Sequence, residues 1–126
     1  MFSLSNKTAL VTGGGSGIGR AISTLFAKQG ASVFIMDLDE KGAAQTVEEI
    51  KAAGGQAGFI ICNVSDQQAV KAAVAQIPAI HILVNNAGVA HVGTAENTAV
   101  EDFTRIFEIN VKGIYNCLHE VIPVMK

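Results

Sequence analysis

Eight residues near the start of the chain, Thr12 to Gly19, read TGGGSGIG and include five glycines. An apolar run ends at Val11, just before them, and a helical pattern of apolar residues begins at Ile18. The order of strand, tight turn and helix predicts a site where free backbone N–H groups meet the positive end of a helix dipole. A pyrophosphate fits such a site, because glycine allows φ > 0 and close approach of the backbone. A plain strand-to-helix connection is the alternative that these residues alone leave open.

The rest of the chain alternates apolar strands with amphipathic helices. We predict strands at residues 7–12, 32–36, 57–61 and 80–84. We predict helices at residues 17–29, 39–53, 65–78 and 98–122. Two capping boxes, Ser65 with Gln68 and Thr98 with Glu101, are expected to open the last two helices.

This alternation predicts a doubly wound α/β fold of the Rossmann type, with helices on both faces of a parallel sheet. Right-handed crossovers give the strand order 3-2-1-4, with the fourth strand on the far side of the first. We therefore expect a single domain over residues 1–126 that ends before a fifth strand. Its ligand cleft should lie between strands one and four, where the strand order reverses.

An acidic residue, Asp37, ends the second predicted strand. A carboxylate at that position can accept hydrogen bonds from the hydroxyls of an adenosine ribose and would repel a 2′-phosphate. No arginine lies within the glycine turn or directly after Asp37. The predicted cofactor is therefore NAD rather than NADP. The alternative is a helix N-terminal charge, because Asp39 and Glu40 follow immediately.

Two further polar motifs follow strands three and four. Asn63 and Val64 come after the third strand, where an amide beside an apolar side chain suits an adenine. Residues 85–88 read NNAG after the fourth strand, and small residues there allow a ligand to approach the backbone. Each motif taken alone is also a common turn sequence.

Together these motifs resemble the N-terminal part of a short-chain dehydrogenase/reductase. The resemblance includes TGGGSGIG, Asp37, Asn63 with Val64, NNAG, and Asn110 with Gly113, in the order and spacing of that family. It implies a set of cofactor-binding residues: Gly13, Ser16 and Ile18 around the pyrophosphate, with Gly17 and Gly19, Asp37 on the ribose with Leu38 beside it, Asn63 and Val64 at the adenine, and Asn86, Ala87 and Gly88 beside the second ribose.

The resemblance also implies a catalytic role for Asn110, which would help to hold a water in the proton relay. A polar residue that bends a helix is the other interpretation of Asn110. The family's reaction further needs a Tyr, a Lys four residues later and a Ser. The only tyrosine is Tyr115, and position 119 is His. We therefore expect Tyr115 to be a packing residue and the chain to be an inactive fragment of a longer enzyme.

The favoured function is hydride transfer between NAD(H) and a secondary alcohol or carbonyl, such as a sugar, a hydroxy acid or a 3-oxoacyl group. A non-catalytic NAD-binding module is the main alternative, because the Tyr and Lys are missing. An S-adenosylmethionine-dependent methyltransferase is a further alternative, against which NNAG and Asn110 argue. We expect a homo-oligomer, which would be a dimer or tetramer in the full-length form. Because the apolar stripe of the last helix would lack neighbours, we expect the chain as given to self-associate or to be less stable than its parent.

Composition excludes several other classes of function. The net charge of −2 gives no basic footprint for nucleic acid, and no apolar run is long enough to span a membrane. Two cysteines, Cys62 and Cys117, are expected to be reduced, half-buried residues of a cytoplasmic protein. His81, His91 and His119 are expected to be structural or surface residues, so no metal site is predicted.

Overall fold

The computed structural model describes residues 3–89 and 93–125, so that His91 lies outside the described residues. A sheet of four parallel strands forms the centre of the fold. The strands are β1 (Thr8–Thr12), β2 (Ser32–Asp37), β3 (Gln56–Ile61) and β4 (Ile82–Val84). Their order is β3-β2-β1-β4. The predicted α/β fold class and strand order are confirmed.

The central strand β1 is buried on both faces. Its residues Ala9, Leu10 and Val11 are completely inaccessible to solvent. Leu10 belongs to an apolar cluster with residues of β2, α3 and α5, whereas Val11 belongs to a second cluster on the opposite face. Successive side chains of a strand point to opposite faces, so a continuous apolar run serves both layers.

Helices cover both faces of the sheet. They are α1 (Gly17–Lys28), α2 (Glu40–Ala52), α3 (Gln67–Ala75), α4 (Val100–Phe107) and α5 (Gly113–Met125), with a π-helical segment at Glu108–Lys112 between the last two. No helix among the described residues is long and apolar enough to cross a membrane.

Both predicted capping boxes are wrong. The N-cap of α3 is Asp66, whose carboxylate accepts the backbone N–H groups of Gln68 and Ala69. The Ser65 hydroxyl instead donates to the side-chain oxygen of Asn63 at 2.6 Å. The helix α4 begins at Val100 after an N-cap, Ala99, that makes no side-chain bond.

The last predicted helix is interrupted rather than continuous. The π-helical segment separates α4 from α5, and such a turn holds one residue more than an α-helical turn. Most large apolar side chains of this region remain exposed: Val100, Phe103, Phe107, Val111, Ile114, Leu118, Ile122, Val124 and Met125. The helix α5 packs against α3, whereas among the described elements α4 has extensive contacts only with the adjacent π-helical segment.

Candidate functional site

A cleft of about 390 Å³ opens at the carboxyl ends of the strands. It is lined by Gly13, Ser16, Gly17, Ile18, Met36, Asp37, Leu38, Cys62, Asn63, Val64, Asn86, Ala87, Gly88, Val89 and Ile109. The structure thus brings together every predicted cofactor-binding residue except Gly19, which packs behind the turn. The predicted catalytic residue, Asn110, is also outside the lining.

The helix α1 points an uncapped N-terminus at this cleft. Its N-cap, Ser16, makes no side-chain capping bond, and the first turn contains no acidic residue. By contrast, the side chains of Asp39 and Asp66 cap α2 and α3. The first N–H groups of α1 therefore remain available to an anion, which the helix dipole would also attract.

The walls of the cleft leave room for a ligand with both apolar and polar surfaces. Gly17 has φ +53°, and a Cβ built on it would meet nothing within 4 Å, so the backbone there is open to close approach. Ile18 and Leu38 line the same cleft with 73% and 60% of their surfaces exposed. Two such side chains beside an uncapped helix suit a nucleotide, whose base is flat and whose phosphates are anionic.

Asp37 lies across the cleft from α1 and holds the glycine turn. Its Oδ2 accepts the Gly15 N–H at 2.9 Å, and its Oδ1 accepts the Asp39 N–H at 3.0 Å. The cap of α2 is Asp39 rather than Asp37. A carboxylate oxygen can accept more than one hydrogen bond, so Asp37 retains capacity for hydroxyl donors from a ligand.

The hydroxyl of Thr12 joins the two turns that form the cleft. Its oxygen accepts the N–H groups of Asn86 and Ala87 at 3.0 and 2.9 Å, and it donates to the Val84 carbonyl at 3.3 Å. The side chain of Asn86 in turn donates to the Gly13 carbonyl at 3.1 Å. Sequence reasoning missed this role, for which the only signal was a hydroxyl at the end of a buried strand.

Replacement of Thr12 by valine is expected to destabilise the protein by about 1–3 kcal/mol, because two part-buried N–H groups would lose their acceptor. Chemical denaturation checks this expectation. Thr12→Ser keeps the hydroxyl and should lose less than about 1 kcal/mol. Equal stability of the valine and serine variants would show that the methyl group of Thr12, rather than its oxygen, matters.

The amide of Asn110 fastens the segment that follows NNAG. Its oxygen accepts the Val89 N–H at 2.8 Å, and its nitrogen donates to the Val89 carbonyl at 2.7 Å. Asn110 lies in the middle of the π-helical segment. Its side chain therefore supports one wall of the cleft from behind, and its role in a proton relay stays a prediction.

The two cysteines are buried rather than half-buried, with 5% and 1% of their surfaces exposed. Burial, assisted by the negative charge of Asp66, raises the pKa of the Cys62 thiol to about 11. Burial, assisted by Cys62, raises the pKa of the Cys117 thiol to about 12. Both thiols therefore stay protonated and unreactive at neutral pH.

The remaining candidate side chains lie away from the cleft. Tyr115 is not a packing residue within this chain, since 57% of its surface is exposed and its ring stacks on His119. His81 is structural, because its Nδ1 accepts the Thr8 N–H at 2.9 Å. Over residues 3–89 and 93–125, no group of three or more His, Cys, Asp or Glu residues could hold a metal ion.

Curated relatives match almost the whole chain. It is 42% identical over 122 residues to an uncharacterized oxidoreductase of Thermotoga maritima, covering 95% of this chain and 49% of that protein. It is 35% identical over 125 residues to the cyclohexanol dehydrogenase of an Acinetobacter species, covering 95% of this chain and 50% of that enzyme. The chain thus spans about half the length of the curated relatives it matches.

Solved structures are also similar to this chain over almost its whole length. A short chain dehydrogenase/reductase from Burkholderia phymatum in complex with NAD superimposes with a TM-score of 0.91 at 33% identity, over 99% of this chain and 46% of that one. The family model for short chain dehydrogenases matches residues 7–126. The chain therefore belongs to the short chain dehydrogenase family.

Proposed function

We propose that this chain binds NAD in the cleft and is part of an oxidoreductase that transfers hydride between NAD(H) and a secondary alcohol or its carbonyl. The observation that carries the proposal is the uncapped N-terminus of α1, which faces Asp37 across the cleft. The NAD complex of a similar structure supports the choice of ligand. The similar cyclohexanol and cyclopentanol dehydrogenases are named for secondary alcohols, which supports the substrate class.

Each wall of the cleft has a chemistry suited to one part of NAD. The N–H groups of Gly17 and Ile18 would hold the pyrophosphate, and Asp37 would accept hydrogen bonds from the adenosine ribose. Asn63 and Val64 would flank the adenine. Residues 86–88 would lie beside the second ribose. When bound, the nicotinamide ring would supply the hydride chemistry.

A non-catalytic NAD-binding module remains the second candidate. Its support is the cleft within the described residues, which is lined by the predicted coenzyme-binding side chains, whereas Tyr115 and His119 lie outside that lining. Both candidates share the coenzyme site, so binding and turnover must be measured separately.

Calorimetric titration of the purified chain with NAD, NADP and S-adenosylmethionine tests the shared site. We expect a dissociation constant for NAD in the micromolar range, at least about tenfold weaker binding of NADP, and no heat from S-adenosylmethionine. A folded chain that binds no NAD would refute the proposal. Formation of NADH from NAD and cyclohexanol by the pure chain would in turn exclude the binding-only candidate.

Self-association is part of the proposal and is supported by the exposed apolar side chains of α4 and α5. The rings of Phe103 and Phe107 stack at a centroid distance of 6.4 Å, and 64% and 49% of their surfaces are exposed. A patch of this kind marks an interaction surface, and a second copy of the chain offers the same patch.

Replacement of Phe103 by glutamate is therefore expected to weaken self-association by at least about thirtyfold, because it would bury a charge in an apolar contact. Sedimentation velocity over a range of concentrations measures the change. Leu25→Glu is the matched control, since Leu25 is an apolar residue of α1 with 54% of its surface exposed. Equal masses for both variants and the wild type would contradict the role of this surface.

The proposed partners are a small-molecule substrate and further copies of the chain, with no nucleic acid. The proposed location is the cytoplasm. It is supported by Cys62 and Cys117, which are both free thiols and are therefore compatible with a reducing compartment.

A further inference from the structure

Arg20 connects the glycine turn to α2. Its Nη2 donates to the Gly15 carbonyl at 2.7 Å, and its Nε donates to the Thr46 hydroxyl oxygen at 3.0 Å. Thr46 is fully buried, and its own hydroxyl donates to the Gly42 carbonyl at 3.1 Å. The planar guanidinium thus spans from the turn to the second helical turn of α2 with two directed hydrogen bonds.

The same residue, Gly15, also contacts Asp37 through the peptide group on its other side. Its N–H donates to Asp37 Oδ2 at 2.9 Å, while its carbonyl accepts from Arg20. Gly15 is buried, and a Cβ on it would lie 2.7 Å from Asp37 Oδ2 and 2.9 Å from the Ala43 nitrogen. Gly15 is therefore held through both of its peptide groups, and its backbone conformation decides where the N–H meets the carboxylate.

We propose that Arg20 is a positioning residue for coenzyme choice, acting through the backbone of Gly15 to orient the Asp37 carboxylate that favours NAD over NADP. This inference rests on the proposed NAD site. Arg20 is not among the residues that line the cleft. Two of its donors are directed at Gly15 and Thr46, so it acts on the site through these contacts.

Loss of Arg20 has a specific consequence for the two coenzymes. Without the bond to its carbonyl, Gly15 can change its backbone torsion angles more freely, which loosens the bond from its N–H to Asp37. Asp37 then keeps only the Asp39 N–H as a fixed donor that sets its rotamer. NAD depends on the orientation of that carboxylate, because its ribose hydroxyls would donate to it. NADP carries a phosphate in place of one hydroxyl and gains little from the carboxylate, so it should be less sensitive.

The test measures the affinities for NAD and NADP by calorimetry in a set of variants. Arg20→Met should weaken NAD binding about tenfold and NADP binding less than about twofold. Thr46→Val removes one of the two acceptors and should weaken NAD binding about threefold, whereas Thr46→Ser keeps the hydroxyl and should match the wild type. Arg20→Lys keeps the positive charge but not the planar guanidinium with its two directed donors. Its affinity for NAD should fall between those of the wild type and Arg20→Met.

Two controls separate positioning from charge and from folding. Lys28→Met removes an exposed cation from the same helix and should leave both affinities unchanged. Amide hydrogen exchange in the absence of coenzyme should show about tenfold faster exchange at Gly15 in Arg20→Met, with no change at Val33 in the sheet. This second readout does not depend on NAD binding.

Three outcomes would overturn the role of Arg20 while the wild type still binds NAD: equal weakening of both coenzymes, greater weakening of NADP than of NAD, or unchanged exchange at Gly15. Full recovery of NAD affinity by Arg20→Lys would likewise show that the positive charge of Arg20 is sufficient and that its two directed hydrogen bonds are not required. A wild-type chain that binds no NAD would instead refute the proposed function, and the role in coenzyme choice would fall with it.

Discussion

Replacement of Gly19 by alanine is expected to lower the free energy of unfolding by about 3 kcal/mol or more and to abolish NAD binding. A methyl group on Gly19 would overlap the Gly13 carbonyl oxygen and would lie 2.5 Å from the Asn86 side-chain nitrogen. The first of these atoms belongs to the backbone of the turn, so it cannot move aside without displacing the turn itself. Thermal unfolding and NAD titration measure the two effects.

Gly58→Ala is the matched control for this substitution. A Cβ on Gly58 would lie 3.5 Å from the Phe34 ring, which is an ordinary van der Waals contact. We expect its stability to stay within about 1 kcal/mol of the wild type and its NAD affinity to be unchanged. If Gly19→Ala bound NAD as well as Gly58→Ala does, the contact of α1 with the Gly13 carbonyl would not be tight enough to exclude a methyl group.

Replacement of Asp37 by alanine is expected to reverse the coenzyme preference. NAD would lose two hydrogen bonds to a charged acceptor, which corresponds to about 100-fold weaker binding. NADP would no longer meet a negative charge beside its 2′-phosphate and should bind several-fold more tightly, by about threefold to tenfold. Parallel titrations with the two coenzymes give the ratio directly.

Asp39→Asn serves as the control for charge alone, because Asp39 lies two residues away and caps α2 with an oxygen that asparagine retains. Its preference for NAD should change by less than about threefold. Retention of NAD selectivity by Asp37→Ala would assign the discrimination to another group and would leave Asp37 as a support for the Gly15 peptide.

The strand order followed from the sequence because each connection is a strand, a helix and a parallel strand. Such crossovers are right-handed, which leaves few arrangements for four strands. The predicted polar groups at strand ends meet in one cleft for a related reason, since parallel strands all end at the same edge of the sheet. Asp37 and Asn63 could therefore be assigned to the site without knowledge of their contacts.

Helix starts were less predictable because neighbouring residues compete for the same role. Ser65 and Asp66 are both residue types that suit an N-cap. Asp66 takes that position in the structure, whereas the Ser65 hydroxyl donates to Asn63. The break at Glu108–Lys112 was likewise hidden, because the apolar pattern continues through it. The hydrogen bonds between the Asn110 amide and the Val89 backbone, 21 residues earlier in the chain, are visible only in the structure. They show which side chain holds the π-helical segment in place.

The connections inside the site also escaped sequence reasoning. Arg20 directly follows the glycine turn, and its bond to the Gly15 carbonyl has no sequence signature. Hydrogen bonds between distant segments depend on the finished geometry, whereas motifs report residue types and spacing alone.

The bridge from the Thr12 hydroxyl to Asn86 joins residues 74 positions apart. The strand β4 is the last strand of the sheet along the chain and pairs with β1, so both walls of the cleft are present only when these distant segments have come together. A chain in which this pairing has not formed would lack one wall of the proposed coenzyme site. NAD at about 100 times its dissociation constant would stabilise the folded chain by about 2.7 kcal/mol if it binds only when both walls of the cleft are present. Binding of NAD would thereby favour the fully folded chain over partly folded states.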